Sequence, residues 1–394
     1  MRSSCRCLRF WLASVGACFV LVCLAAGERQ AASRFRYRET SWGKGALSYT
    51  GSIPVLRVEG TPEEIGAQVA HVAARHAPRL LHYPRDLLHA LKLEPLWPTL
   101  VAAGKGLLER FPAEHRRELE AMAQAGLDRD LLVVGNTMFD IKKLFGCSAL
   151  VVEPSRSRTG TLLFGRNLDF PTLGYLHQYT LVTVYKPRGK RAFASVGFPG
   201  LIGCLSGIND AGLALAINEV YQAADGSPAF DPQGTPYALI YRRLLEECAS
   251  VEEALRSLAA FRHATMTHLT LCDARSAVIV ELTPRSLVVR RSEDGLHMCT
   301  NHFLSGALAV SGVRPPYRSA ERLEALRYAC RFDRLRLNDI AAVLHRAHHG
   351  PFTLQTMVFE PARLRLYLAF GECPASALPL ECLDLAPWLT SRSQ

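Results

Sequence analysis

The sequence changes character at Cys147, and this change constrains the fold more than any other feature. Before it, residues 85–146 place apolar side chains with a largely helical periodicity. After it come short β-rich runs punctuated by Gly, Pro and Asp, such as SALVVEP, GTLLFGRNLDF and YTLVTVYKP. Helical patterns return at 235–261 and 316–347, with strand patterns between and after them. This order predicts an α+β fold in which antiparallel sheets are covered by helices.

The N-terminus has the pattern of a targeting segment. Arg2, Arg6 and Arg9 precede the apolar run 10–26, which ends abruptly at the polar stretch GERQ. A charged start, an apolar middle and a small-residue exit are typical of a signal peptide, and the run is also near the minimum length of a membrane anchor. Residues 1–27 are therefore predicted to be a signal peptide or an anchor, and the protein is expected to be periplasmic, secreted or membrane-anchored.

Composition excludes some function classes. The net charge of +10 is spread along the chain and forms no basic stripe, so no nucleic-acid partner is predicted. No C-x-x-C pair follows the targeting segment, and the cluster His345, His348 and His349 has no carboxylates around it in the sequence, so no metal site is predicted. Cys373 and Cys382 are spaced for a short disulfide, although sequence does not determine pairing.

Cys147 stands in LFGCSALVV, between a glycine and a small polar residue. It is either a small buried hydrophobic residue, as free cysteines commonly are, or a nucleophile. A nucleophilic thiol needs a base, because its unperturbed pKa lies above neutrality. Cleavage of the Gly146–Cys147 bond would provide one, since a free α-amino group titrates near pKa ~8 and would stand on the same residue as the thiol.

The stretch GRNLDF (165–170) follows in the next predicted strand. A hairpin would bring Arg166 and Asp169 back beside Cys147. Asp169 would then hold the new ammonium group, and Arg166 would hold the thiolate or a substrate carbonyl through charge-assisted hydrogen bonds. The alternative interpretation is a surface turn that contains an Arg–Asp pair.

Together, GCSALVV and GRNLDF resemble the motifs of the cysteine N-terminal-nucleophile (Ntn) hydrolases, in particular the isopenicillin N acyltransferase group. Related enzymes are acid ceramidase, N-acylethanolamine acid amidase, penicillin V acylase and the bile-salt (choloylglycine) hydrolases. Further stretches resemble this family in the same order, namely IPVLRVEGTPEEIGAQVA upstream and GINDAGLALAIN, THLTLCDARSAVIVE, CTNHF and PYRSAERLEAL downstream. The resemblance covers roughly residues 50–385. It implies a four-layer αββα body with a mainly helical N-terminal pro-segment.

The resemblance also implies roles for particular residues. The matching positions are Cys147 as nucleophile, Arg166 and Asp169 as the residues that orient it, Asn218 as an oxyanion-hole amide, Asn301 as a second active-site asparagine, and Arg322 as the arginine at a helix start. An oxyanion-hole donor typically contributes ~3 kcal/mol to catalysis. Taken singly, Asn218 is also compatible with a turn, Asn301 with a strand end and Arg322 with a solvated helix charge. The longer gap between Cys147 and GRNLD, and Asp210 where the family more often has Glu, favour the acyltransferase and amidase branch over bile salts as substrates.

These features predict a self-cleaving amidohydrolase or acyltransferase that acts on a small acyl amide through a thioester. Residues 28–146 would be the propeptide or small subunit, retained after cleavage as a non-covalent partner, and residues 147–394 the catalytic domain. No cofactor is required. One alternative is a non-catalytic envelope protein that uses the Ntn fold to bind a ligand. Another is a papain-like hydrolase with His268 or His302 as its base.

Overall fold

The computed structural model describes residues 35–141, 146–292 and 294–390. The predicted targeting segment 1–27 lies outside these residues, so export remains a prediction. Within the described part of the chain, no helix is both long enough and apolar enough to span a membrane.

Two β-sheets form the centre of the molecule. Sheet A contains, in spatial order, β1 (Thr40–Trp42), β2 (Gly45–Thr50), β3 (Ile53–Gly60), β6 (Leu181–Pro187), β7 (Phe193–Gly197), β8 (Ser206–Asn209), β9 (Ala214–Glu219), β10 (Thr267–Cys272), β11 (Ala277–Leu282) and β12 (Leu287–Arg290). Sheet B contains β13 (Leu296–Cys299), β4 (Gly146–Val152), β5 (Leu163–Asp169), β14 (Thr353–Glu360), β15 (Arg365–Phe370) and β16 (Glu381–Asp384). Neighbouring strands are antiparallel except β3 and β6, which are parallel. The chain between these two strands is a long crossover that contains the N-terminal helices and then β4 and β5 of sheet B.

Helices occur in the sequence both before and after Cys147. Those before it are α1 (Pro62–Val72), α2 (Pro78–Leu81), α3 (Tyr83–Ala90), α4 (Trp97–Leu108), α5 (Ala113–Gln124) and α6 (Arg129–Ile141). Those after it are α7 (Tyr237–Glu247), α8 (Val251–Leu258), α9 (Ser319–Leu326), α10 (Leu337–Arg346) and α11 (Ala386–Leu389). Helix α1 begins at a capping box, in which Thr61 Oγ1 accepts from Glu64 N at 3.2 Å and Glu64 Oε2 accepts from Thr61 N at 2.7 Å.

Alternation along β4 shows how the layers stack. Ala149 and Val151 point into an apolar core shared with sheet A, whereas Leu150 and Val152 point the other way into a core formed with α9 and α10. The outer face of sheet A packs in turn against α1, α5 and α7. The order is therefore helix, sheet, sheet, helix. The predicted α+β fold with αββα layering and a mainly helical N-terminal segment is confirmed.

Two features differ from the sequence interpretation. The composition of the polar stretch 28–48 predicts irregular chain. In the structure, β1 and β2 within residues 40–50 pair as a hairpin, and β2 pairs in turn with β3, so that the hairpin forms the edge of sheet A. Because an edge strand keeps one side in water, its polar residues hide the alternation that marks a strand. The short disulfide is also not formed. Cys373 and Cys382 are both free thiols, as are the other cysteines of the described residues.

Candidate active site

The β4–β5 hairpin brings Arg166 to the thiol of Cys147. Ala149 pairs with Arg166 and Cys147 with Leu168, so the side chains of Cys147 and Arg166 share the face toward sheet A. Arg166 Nη2 donates to Cys147 Sγ at 3.1 Å, while its Nη1 donates to the backbone carbonyl of Leu205 at 2.7 Å. The predicted hairpin is confirmed. Arg166 lies in a fully buried strand, so the surface-turn interpretation is wrong.

The thiol is protonated at neutral pH in this uncleaved chain. Burial raises the pKa of Cys147 to about 11, and the carboxylates of Asp169 and Glu219 add to the rise, whereas Arg166 and Arg322 oppose it. Only a thiolate is a strong nucleophile, so the arginine contact alone does not activate the sulfur. A nucleophilic role for this thiol would therefore require a base in addition to Arg166.

Asn301 and Arg322 hold the backbone of Cys147. The Cys147 N–H donates to Asn301 Oδ1 at 2.9 Å, and Arg322 Nη1 donates to the Cys147 carbonyl at 2.6 Å. Arg322 Nη2 also donates to Asn301 Oδ1, and Asn301 Nδ2 donates to the backbone carbonyl of Glu219 at 2.8 Å. These contacts fix the Asn301 amide with its oxygen toward the nitrogen of Cys147. Arg322 is 3% exposed, so it is not a solvated helix charge.

Asp169 lies beside the bond that is predicted to be cut. It is the partner of Gly146 in the β4–β5 ladder, and a Cβ placed on Gly146 would lie 3.2 Å from Asp169 Oδ2. Its carboxylate is fully buried and is contacted by Arg322 Nη1 at 3.4 Å and by Thr353 Oγ1 at 2.5 Å. Thr353 is a site residue that the sequence does not reveal, because it is the first residue of β14 and no local pattern connects it with Asp169.

Asn218 faces the same space from sheet A. It shares a face of β9 with Ala216, which lies in the core between the sheets, and β9 packs against β4. Its Nδ2 makes one long contact, 3.4 Å to the carbonyl of Cys299, and its buried Oδ1 has no hydrogen-bond partner among the described residues. No hydrogen bond joins Asn218 to Cys147 within the described chain. Asn218 on β9 of sheet A therefore lies opposite β4 of sheet B, the strand that carries Cys147. Its side-chain amide makes only the long contact to the carbonyl of Cys299.

Neither candidate histidine base contacts the thiol. His268 Nδ1 lies 3.3 Å from the carbonyl of Thr300, and its Nε2 lies 3.6 Å from Glu281 Oε1. His302 Nδ1 lies 2.7 Å from Ser319 Oγ. Among the described residues no hydrogen bond joins either imidazole to Cys147, so the papain-like arrangement is absent there. In the same residues no group of three or more His, Cys, Asp and Glu side chains is placed to hold a metal ion.

The pair His268–Glu281 gives a prediction for stability. Burial opposes protonation of His268, but its contacts with Cys299 and Glu281 outweigh burial and raise its pKa from 6.5 to about 9. The folded state therefore binds an additional proton between these values, and stability from this group is complete below pH 6.5 and is lost as pH rises through 9. We expect His268→Gln to flatten this decline. Tm measured from pH 6 to 10 checks it.

The measurement should be made in a Cys147→Ala background, so that no new α-amino group titrates in the same range. His89→Gln is the control, because the His89 side chain is 83% exposed in its pair with Glu94. An equally steep decline in the His268→Gln variant and its parent would contradict the prediction.

The family follows from comparison with known proteins. Residues 156–372, more than half of the chain, match the model of the acyl-coenzyme A:6-aminopenicillanic acid acyl-transferase family. The chain belongs to this family. The matched part of this acyl-transferase family member begins after Cys147 and contains the other residues of the site, namely Arg166, Asp169, Asn218, Asn301 and Arg322. The resemblance indicated by the sequence motifs is thereby confirmed.

Individual relatives of this family member are distant. An uncharacterized protein of Archaeoglobus fulgidus is 25% identical over 248 residues, which are 55% of this chain and 40% of that protein. The chain thus spans less than half of that relative. Among solved structures, a conjugated bile acid hydrolase from Clostridium perfringens is 15% identical with a TM-score of 0.45 and covers 61% of this chain and 93% of its own. The N-acylethanolamine-hydrolyzing acid amidase ortholog of Caenorhabditis elegans is 17% identical with a TM-score of 0.42, covering 55% and 93%.

Proposed function

We propose that this family member is a self-cleaving N-terminal-cysteine amidohydrolase or acyltransferase that acts on acyl amides through a thioester. The observation that carries the proposal is the environment of the Cys147 nitrogen. This nitrogen donates to Asn301 Oδ1 at 2.9 Å, and the Asp169 carboxylate lies beside Gly146. A buried amide oxygen and a buried carboxylate together suit an α-amino group better than a peptide N–H, which needs a single acceptor.

Maturation would break the Gly146–Cys147 bond in two steps. Cys147 Sγ attacks the Gly146 carbonyl carbon and its proton passes to the Cys147 nitrogen, so that the acyl group moves from nitrogen to sulfur. Water then hydrolyses this thioester and releases the Gly146 carboxylate and the free thiol. Asp169 lies next to the amine formed and would stabilise its charged form.

In the cleaved enzyme the α-amine of Cys147 would serve as the base. It accepts the thiol proton while Arg166, whose Nη2 is 3.1 Å from Sγ, stabilises the thiolate. Sulfur attacks the substrate carbonyl, and the Asn218 amide donates to the developing oxyanion. The α-ammonium returns the proton to the leaving amine, which leaves a thioester. Water or an amine then takes the acyl group and restores the thiol.

The acyl group would be apolar. A cavity of about 70 Å³ opens beside Leu168, the ladder partner of Cys147. Its other walls are apolar side chains of the N-terminal helices, of the residue after β5 and of the loop after β7, including Leu80, Tyr83, Leu132, Met138, Phe139, Phe170, Phe198 and Leu201. Such a wall binds hydrocarbon in preference to charged groups. The segment before the cut would therefore contribute to the substrate site, which requires it to remain bound.

Amine release from a panel of linear and aromatic acyl amides tests the proposal. We expect turnover by the cleaved protein, an acyl mass adduct on the fragment that begins at Cys147, and a kcat about 10²–10³-fold lower for Asn218→Ala, the usual effect of removing one oxyanion donor. Asn167→Ala is the control, because Asn167 is buried on the opposite face of sheet B and donates to the carbonyl of Leu344. Equal kcat values for Asn218→Ala and the wild type would remove Asn218 from the mechanism.

A further inference from the structure

A second cavity lies beside the nitrogen of Cys147. It has a volume of about 50 Å³, close to the about 70 Å³ of the cavity beside Leu168. Residues 220–222, which follow β9, form one wall, residues 301–303, which follow β13, form another, and the loop 310–316 before α9 contributes the rest. Asn301 belongs to this lining, and its Oδ1 accepts from Cys147 N at 2.9 Å. The cavity and the reacting residue therefore share the Asn301 side chain.

The position beside this nitrogen determines which part of a substrate the cavity can hold. In the proposed reaction the α-ammonium of Cys147 returns a proton to the leaving amine, so the amine nitrogen must come within hydrogen-bond reach of Cys147 N. The acyl chain extends from the carbonyl carbon in another direction, and the cavity beside Leu168 is proposed to hold it. The cavity at Asn301 is then available to the group on the amide nitrogen.

The lining of this second cavity is uncharged at neutral pH. Within the described part of the chain, no Asp, Glu, Lys or Arg lines it. Its one imidazole is that of His302, whose pKa is lowered from 6.5 by burial and then by the charges of His268 and Arg322, so the ring is neutral. Burial likewise raises the pKa of Tyr221 well above 10, so its phenol is neutral. Such a lining penalises a carboxylate or an ammonium group far more than a neutral group.

Apolar side chains form both the floor and the mouth of the cavity. Val220 and Phe303 belong to a small buried core beneath it, so the floor is apolar. Val310 and Val313 also line the cavity, yet they are 37% and 48% exposed. An apolar group that fills the cavity would cover these two valines and release the water around them, which favours binding.

A strained turn holds the loop wall beside the site. Tyr317 and Arg318, which directly follow the lining residues of the loop, have φ angles of +56° and +51°. Arg322 Nε donates to the Tyr317 carbonyl at 3.0 Å, while its Nη1 donates to the Cys147 carbonyl at 2.6 Å, so one arginine holds both the wall and the nucleophile. The ring of Tyr317 also lies 5.2 Å from that of Tyr221 in the facing wall. Strain of this kind persists only where surrounding contacts enforce it, and it concentrates at active sites and ligand-binding segments.

We propose that this cavity binds the amine part of the substrate and selects amides whose amine part is apolar and uncharged. The assignment to the amine part rests on the function proposed above, whereas the preference for an apolar, uncharged group rests on the lining alone. With the cavity beside Leu168, it makes the preferred substrate apolar on both sides of the amide bond. Amides whose amine part carries a carboxylate, as in acylated amino acids, would be poor substrates.

The test compares three amides that share one acyl group. Their amine parts are benzylamine, 4-(aminomethyl)benzoate and 4-(aminomethyl)benzylamine, which have nearly the same shape but are neutral, anionic and cationic. We expect kcat/KM to be at least about tenfold higher for the neutral amide than for either charged one, because the lining offers no partner for a charge. Equal kcat/KM values for the three amides would overturn the proposal.

Two substitutions of Val313 place opposite charges at the mouth of the cavity. Relative to the neutral amide, Val313→Lys should raise kcat/KM for the anionic amide and Val313→Glu that for the cationic amide, each by about twofold to fivefold, the contribution of an exposed charge pair. A general disturbance of the loop would not reverse its effect with the sign of the charge. The same two substitutions of Val289 are the control, because this valine is 37% exposed on β12 and lies outside the lining. Unchanged preferences in both Val313 variants would overturn the placement of the amine part.

A binding measurement separates this inference from the proposed function. N-Benzylacetamide and its 4-carboxy analogue are titrated into the uncut Cys147→Ala protein and followed by ligand-detected NMR, so no turnover is needed. We expect the neutral probe to bind more tightly, and Val313→Lys to narrow the difference. The expected binding in a protein whose wild-type form never turns over an amide refutes the proposed function and supports the cavity as a site for apolar groups. Amide turnover without any preference among the amine parts refutes only this inference.

Discussion

The wild-type chain should be cut into two fragments that stay bound to each other until they are denatured, whereas a Cys147→Ala variant should remain a single chain of about 43.5 kDa. The larger fragment should begin with CSALVV and contain 248 of the 394 residues, which corresponds to about 27 of the 43.5 kDa. The expected effect is complete, because no other group in the proposed mechanism can replace the sulfur as attacking atom. Intact mass and N-terminal sequencing of the purified protein measure it.

Cys204→Ala is the matched control for this experiment. Cys204 is also a fully buried thiol, and its sulfur accepts a hydrogen bond from Ser195 Oγ at 3.4 Å. This variant loses the same atoms as Cys147→Ala but should be cut like the wild type. A wild-type chain that stays whole at both mildly acidic and neutral pH would remove the proposed base. The non-catalytic ligand-binding protein would then become the better interpretation.

Three residues of the site could be predicted from the sequence because they are close together in the chain. Cys147, Arg166 and Asp169 lie on consecutive strands, and a hairpin places residues of such strands side by side. Asn301 and Arg322 required the family resemblance, since contacts between distant parts of a chain leave no periodic signal. Thr353 was missed for this reason. It meets Asp169 because β14 pairs with β5 across an intervening stretch of more than 180 residues.

Charged groups were harder to place than apolar ones. The turn PRGKR between β6 and β7 has the composition of a solvated loop, yet the side chain of Lys190 is only 20% exposed. It lies 3.2 Å from Glu246, a buried residue of α7. The sequence shows the charge of Lys190 but not the helix that covers it, because α7 reaches this turn only through the packing of the outer layer. A charged run is therefore weak support for a solvent-exposed position when the carboxylates of a neighbouring helix pack against it, as Glu246 and Glu247 do here.

The same helix carries a buried ion pair that joins the two parts of the chain. Arg242 on α7 donates to both carboxylate oxygens of Glu118 on α5, at 2.9 and 2.6 Å, and to Glu246 Oε1 at 2.8 Å. The side chains of these three residues are 2% exposed. Burial alone would raise the pKa of Glu246, but the charges of Arg242 and His115 outweigh it and lower that pKa. Glu118 precedes the predicted cut and Arg242 follows it, so this pair would hold the fragments together after cleavage.

Arg242→Gln should therefore destabilise the protein by about 3–5 kcal/mol, because it leaves the buried carboxylate of Glu118 without its charged partner and removes one of the partners of Glu246. Urea unfolding of the uncut Cys147→Ala protein measures this loss without the complication of a second chain. In the cleaved protein the same substitution should release the smaller fragment on size-exclusion chromatography. With it would go the apolar wall that Tyr83, Met138 and Phe139 contribute to the cavity beside Leu168, the ladder partner of Cys147. Loss of the fragment should then abolish amide turnover even though every residue from Cys147 onward is intact.

Arg243→Gln separates this effect from a general loss of charge. Arg243 is the next residue of the same helix and pairs with Glu247 at 3.0 Å, but both side chains are about one-third exposed. Exposed pairs of this kind contribute about 1 kcal/mol or less, so this variant should unfold nearly as the parent does and keep its fragments together. If the two substitutions have equal and small effects, the Arg242–Glu118 pair does not hold the fragments. The apolar contacts between α1, α5 and sheet A would then be sufficient to retain the smaller fragment.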